Sequence, residues 1–154
     1  MQQRIIDIRK DSSLEENLQE PEDLDTSDEN SCVSFCEVNE PTLSIILTLN
    51  QGQLEELVEN LSNHLLESTQ LPEFHEQTSK FLWTTKWIYA LLACLRSPLD
   101  PEVHNNLRVI AKTCIQIRNF LKAQQETSCE PFLPWNLIIV VIALNFHQFD
   151  LLSL

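Results

Sequence analysis

The chain has 154 residues, 43% of them hydrophobic, which suits one domain with a modest core. A net charge of −13 excludes electrostatic capture of nucleic acid, which needs clustered lysine and arginine. A single glycine excludes a phosphate-cradling glycine loop and argues against a sheet built from tight hairpins.

The charge is uneven. Residues 1–41 carry 12 acidic against 3 basic side chains, and residues 42–154 carry 11 against 7. The chain therefore divides into an acidic, disordered tail, 1–41, and a folded domain, 42–154. Ser12, Ser13, Thr26 and Ser27 sit among carboxylates, as sites of an acid-directed kinase would. Met1 to Lys10 lacks the apolar stretch and cleavage site of a secretory signal. The longest strongly apolar run, Leu137 to Leu144, falls far short of the roughly 20 residues a membrane span needs. An intracellular chain is expected, with Cys32, Cys36, Cys94, Cys114 and Cys129 as reduced thiols.

In chain order, Pro41 opens the folded part. Residues 42–49 predict a short helix with Asn39 as a candidate cap, a strand being the rival reading. Gly52 marks a joint. Gln53 to Glu67 is a clearer helix, because Leu54, Leu57, Val58, Leu61 and Leu65 make one apolar stripe with Glu55, Glu56 and Glu59 off it. Pro72 fits the first turn of a helix that runs to Arg96, with Thr84-Thr85 as its point of kink or interruption. Trp87 to Leu95 is nearly all apolar, the mark of a central helix with neighbours on several sides. Ser97-Pro98-Leu99-Asp100-Pro101 breaks the pattern. Asp100-Pro101-Glu102 then starts the next helix with a cap, a first-turn proline and an acid. Val103, Leu107, Ile110, Cys114, Ile117 and Leu121 follow at helical spacing, so the two helices read as a hairpin. Ala123 to Pro131 is a polar loop, and Pro134 begins a last helix, Trp135 to about Phe149. Its β-branched run also reads as a buried strand, but no second strand exists to pair with it.

Catalytic and metal chemistry find little support. Cys32 and Cys36 form a lone C-x3-C with no second pair to complete a zinc site, and read as incidental thiols. Cys94 and Cys114 fall on apolar faces as small core residues. A hydrolase or redox enzyme using one of them with a histidine is the rival class. Of the scattered His64, His75, His104 and His147, His64 lies near the apolar stripe and reads as a packing residue. Trp83, Trp87, Tyr89 and Trp135 are candidates for interface anchors or for core. Arg108, Lys112, Arg118 and Lys122 line one helix, either solvated or facing an acidic peptide such as the chain's own tail. No metal and no cofactor is expected.

The segment Trp87-Ile88-Tyr89-Ala90-Leu91-Leu92-Ala93-Cys94-Leu95, followed by Pro98-Leu99, Pro101-Glu102 and His104, resembles the Gemin 2 family. These are the survival motor neuron (SMN) interacting proteins of the spliceosomal snRNP assembly machinery. The likeness continues through Leu107-Arg108, Ala111, Cys114 and Arg118, and reaches back to Leu43-Ser44-Ile45, Asn50-Gln51 and Leu61-Ser62-Asn63. It runs forward to Asn136-Leu137-Ile138 and Phe146-x-Gln148-x-Asp150-Leu151, so that it spans roughly residues 41–151.

The resemblance implies an all-α fold, a compact bundle of about five helices, without enzymatic activity. It implies a groove for an amphipathic helix from the N-terminal part of SMN, contact with Sm proteins, no membrane, and a cytoplasmic and nuclear location that includes nuclear bodies. The groove candidates are Trp87, Tyr89, Leu91 and Leu95, with Val103, Leu107, Ile110, Cys114 and Ile117 on the facing helix. The pattern does not divide them between groove and core. The family's N-terminal arm, which wraps the remaining Sm proteins, and its first, tryptophan- and glutamine-rich helix are not recognisable in Met1 to Glu40. The alternative is a shortened isoform or paralogue that binds SMN without embracing the Sm ring.

Overall fold

The computed structural model describes residues 21, 24–75, 78–124 and 132–153, and among these every regular element is helical. The α-helices are α1 (Glu29–Val38), α2 (Leu43–Thr48), α3 (Gln51–Ser68), α4 (Leu82–Cys94), α5 (Pro101–Gln124) and α6 (Leu133–Asn145). Short 3-10 turns occupy Pro72–His75, Thr78–Phe81 and Phe149–Ser153. The strand readings of residues 42–49 and 137–144 therefore fall away, and an all-α bundle stands.

Helix α3 begins earlier than its apolar stripe suggests. The Asn50 side chain accepts from the Gln53 backbone N–H at 3.0 Å, and the Gln53 side chain accepts from the Asn50 N–H at 2.9 Å. This reciprocal cap satisfies two otherwise orphaned donors and carries Gly52 into the first turn instead of leaving it as a joint. Asn39 likewise does not cap α2, whose N-cap is Thr42. Asn39 closes α1, its backbone N–H donating to Phe35 O.

The helix expected from Pro72 to Arg96 is two 3-10 turns and then α4. The break precedes Thr84-Thr85, because both threonines fit inside the first turns of α4. Thr84 Oγ1 donates to Phe81 O at 2.6 Å and Thr85 Oγ1 to Leu82 O at 2.7 Å. Both are buried, so bonding to their own helix spares their hydroxyls a desolvation cost.

Four helices form the core as a ring in the order α3, α4, α6, α5, each packed on the next and α5 closing on α3. Leu54, Leu57, Val58, Leu61 and Leu65 of α3 are all fully buried, as their spacing predicts. Helices α4 and α5, adjacent in sequence, stand across the ring and do not form a close hairpin. The connection Leu95–Asp100 permits this, since six extended residues reach about 20 Å, beyond the 8–10 Å between neighbouring helices. Gln51 pins that connection to α3: its side chain donates to Arg96 O and accepts from Arg96 N, at 3.3 and 3.2 Å. The final turn is held on α5 by Gln148 Nε2 donating to His104 O and by an Arg108–Asp150 ion pair.

Helix α1 lies inside what composition assigns to a disordered tail, and it packs on α3 and α4. Cys32, Phe35 and Cys36 are its buried residues. Two polar anchors complete the docking. The Trp87 indole N–H of α4 donates to both Cys36 O and Asn39 O at 2.8 Å, satisfying carbonyls at the end of α1. Thr26, just before α1, donates through Oγ1 to Glu56 Oε2 of α3 at 2.6 Å, while Asn60 Nδ2 donates to Thr26 O at 2.8 Å. Ser12, Ser13 and Cys129 lie outside the described residues, as does most of the predicted 123–131 loop.

Candidate functional site

The outward face of α4 carries Lys86, Tyr89, Ala90 and Ala93, at i, i+3, i+4 and i+7. A cleft of about 600 Å³ runs along one side of it, between α4 and α6. Leu82, Thr85, Lys86 and Tyr89 line it from α4; Leu133, Pro134, Leu137 and Ile138 line it from α6. A second cleft of about 450 Å³ runs along the other side, walled by Glu40, Pro41 and Thr42 and by Leu43 and Ile46 of α2. Lys86 and Tyr89 border both, so the two clefts form one trough with a low ridge along α4.

The trough is apolar where a globular surface usually is not. Leu43, Leu133 and Leu137 keep 49%, 54% and 48% of their surface exposed. A contiguous apolar surface of this kind, rimmed by polar groups, marks a site of association. The rim here is the Lys86–Glu40 ion pair at 2.6 Å, both side chains solvent-exposed. On the side of α6 the apolar character continues: Leu133, Leu137, Val140, Val141 and Leu144 fall on one outward stripe at helical spacing. No described helix is long and apolar enough to cross a membrane.

Of the sequence-derived candidates, only Tyr89 reaches the trough. Trp87, Leu91 and Leu95 of the α4 segment are buried in the core, as are Val103, Leu107, Ile110, Cys114 and Ile117 of α5. The α5 set is turned toward α3 and α6, its ring neighbours. Lys86, Ala90, Ala93, Leu43, Leu133 and Leu137 were missed as candidates. A signal existed for the last two: α6 is apolar on more of its circumference than one core can cover.

The other singled-out groups have structural roles. His64 packs against Trp83 and Phe81, with ring centroids 5.5 and 6.5 Å away. Burial holds its pKa below the ordinary 6.5, opposed by the fields of Glu29, Glu37 and Glu67. Burial pushes the Cys114 thiol up, the reverse of what a nucleophile needs. Cys32 and Cys36 lie one turn apart on the inner face of α1, and their mutual hydrogen bond holds Cys36 in its thiol form. Among the described residues no group of three or more His, Cys, Asp or Glu is arranged to hold a metal. Arg118 lies 3.5 Å from Asn136 Oδ1, and Lys122 lies over the Phe132 ring at 5.4 Å. These contacts link α5 to the start of α6.

A family model described as survival motor neuron (SMN) interacting protein 1 (SIP1) matches residues 1–149. The chain belongs to the SMN interacting protein 1 family. That match takes in residues 1–40, which the resemblance read from residues 41–151 left outside. Gem-associated protein 2 of Drosophila melanogaster is 36% identical over 148 residues, covering 96% of this chain and 57% of the fly protein. The Mus musculus protein of the same name is 36% identical over 111 residues, 72% of this chain and 36% of its own length. A chain in a solved structure described as "The 8S snRNP Assembly Intermediate" superposes with a TM-score of 0.76 at 35% identity, over 97% of this chain and 66% of that one. This SMN interacting protein 1 family member thus spans just over half the length of the fly relative, and less of the mouse relative.

Proposed function

We propose that the chain is a non-enzymatic adaptor in the assembly of spliceosomal snRNPs, and that its trough receives an amphipathic helix from the N-terminal part of SMN. The observation that carries this reading is the trough itself. It is apolar along its floor, open, and walled by helices, the form in which a groove takes the apolar face of a partner helix through i, i+3, i+4 and i+7 anchors. The family's description as SMN interacting proteins supports the choice of partner. Likeness to a chain of an snRNP assembly intermediate supports the choice of process. Contact with Sm proteins, and work in the cytoplasm and in nuclear bodies, belong to the same reading.

Calorimetric titration of a synthetic SMN N-terminal helix into the purified chain tests it. A saturable one-to-one interaction is expected, weakened tenfold or more by Leu137→Asp with the fold intact. A folded chain that fails to bind, or one whose binding ignores Leu137, removes the reading. The second reading is a chain that binds SMN without embracing the Sm ring. Co-elution with a purified Sm pentamer would exclude it.

A further inference from the structure

We propose that Thr26 is a phosphoacceptor, and that its modification by an acid-directed kinase undocks residues 24–38 and with them the α1–α2 wall of the trough. Thr26 is 7% exposed and its hydroxyl is spent on Glu56. Asp28 and Glu29 follow it at the second and third positions, the setting an acid-directed kinase reads.

A phosphoryl group has no place in the docked arrangement. It would bring a charge of about −1.5 to −2 to an oxygen that now lies 2.6 Å from the Glu56 carboxylate, and it would remove the proton that joins them. Phosphates settle where cations or free helix N-termini receive them. No lysine or arginine occurs between Lys10 and Lys80, so among the described residues α1, α2 and α3 offer no lysine or arginine to receive one. The N-terminus of α1 is already held by a carboxylate, Asp28, which accepts from Ser31 N at 2.7 Å. Ser27, one residue on, is the internal contrast. It is exposed, its hydroxyl donates to Asp25 at 2.6 Å, and a phosphate there would extend into water. Two adjacent hydroxyls in one acidic setting thus have opposite consequences.

A kinase takes its substrate extended, so Thr26 becomes reachable only when the segment lifts from α3. Thr26 Oγ then attacks the γ-phosphorus of ATP, the bond to ADP breaks, and the hydroxyl proton passes to the kinase's base. The phosphothreonine cannot re-dock, so the lifted state is held. Since α1 carries the carbonyls bonded by Trp87 and leads directly into Glu40, Pro41 and Thr42, lifting it displaces one wall of the smaller cleft. The release of α1 is independent of what fills the trough; only its effect on the partner rests on the reading above.

The test treats the full chain, carrying Ser27→Ala, with an acid-directed kinase and Mg-ATP, and maps the phosphate by mass spectrometry. Backbone hydrogen exchange is then read with no partner present. Exchange over residues 29–38 should rise at least tenfold while α5 is unchanged, and Thr26→Ala should show no kinase-dependent rise. Phosphothreonine at 26 with α1 still protected would overturn the proposal. So would a Thr26 left unmodified in a Glu56→Ala, Asn60→Ala variant, where the segment is already loosened. Titration of the SMN peptide into the phosphorylated chain should show at least fivefold weaker binding than into the unmodified chain. Equal affinity, with α1 open, would overturn the link to the trough.

Discussion

Helices α5 and α6 lie side by side in the ring, yet only α5 is finished on its outer side. Outward from α5 point Glu102, Asn105, Lys112, Gln116 and Asn119, and its inner face is fully used by α3 and α6. Outward from α6 point Leu133, Leu137, Val140, Val141 and Leu144. An amphipathic helix is satisfied by its own domain, whereas one that is apolar all round needs neighbours on both sides. The contrast locates the unfinished surface at α6 and at the face of α4 beside it.

Substitutions on the inner faces should not distinguish the two helices. Leu107→Ala on α5 and Ile139→Ala on α6 both empty a fully buried site and should each cost about 2–5 kcal/mol in urea denaturation. A much smaller loss at Ile139 would mean that α6 is peripheral and would break the comparison. Charges at Leu91 or Leu107, both fully buried, would report on folding and not on binding.

Trp87→Phe comes next. It keeps the ring but leaves Cys36 O and Asn39 O without their donor, and should cost about 1–3 kcal/mol. Hydrogen exchange should show α1 loosening before the ring does. The outer faces should then separate the helices. Leu137→Asp and Lys112→Ala should each shift stability by under about 0.5 kcal/mol, yet only Leu137→Asp should weaken the SMN peptide, by tenfold or about 1.4 kcal/mol.

His147 ends α6 in the left-handed region, with φ of 58°, while Gln148 N–H turns back to Ala143 O at 3.0 Å. Glycine takes that conformation without a Cβ clash, so His147→Gly should stabilise the chain by about 0.5–1 kcal/mol in thermal melts. The smallest effect is at His64. Its folded pKa lies below the unfolded value, so the unfolded chain binds the proton first as pH falls. Stability should be full above about 6.5 and decline from there down to the folded pKa, and His64→Gln should flatten that slope.

The period of the apolar residues made α3 and α5 legible, because Leu54 to Leu65 and Val103 to Leu121 repeat without a gap. Helix α1 was hidden for a physical reason. Its ten residues bury only three side chains, and the bonds that hold it come from Trp87 and from Thr26 with Glu56, far apart in sequence. No local window contains them. The Asn50–Gln53 cap, by contrast, is written in the sequence as a capping-box spacing, with Gly52 inside the first turn that it opens. The trough was half legible. An all-apolar α4 announces a central helix but hides which of its residues face outward, and the short polar rim on Lys86 and Glu40 appears only once α1 brings Glu40 to it.

The absence of lysine and arginine between Lys10 and Lys80 has a practical consequence. Trypsin cuts after those two residues and nowhere between them, so α1, α2 and α3 leave the protein in one uncut peptide whether α1 is docked or lifted. Amine-directed cross-linkers are equally blind to that stretch, and among the helices they reach only α4, through Lys86, and α5, through Lys112 and Lys122. A protease that cuts after glutamate and aspartate reverses the picture. Its sites crowd the segment around Thr26 and α1, and its digestion pattern would change with the docking state where a tryptic map stays the same.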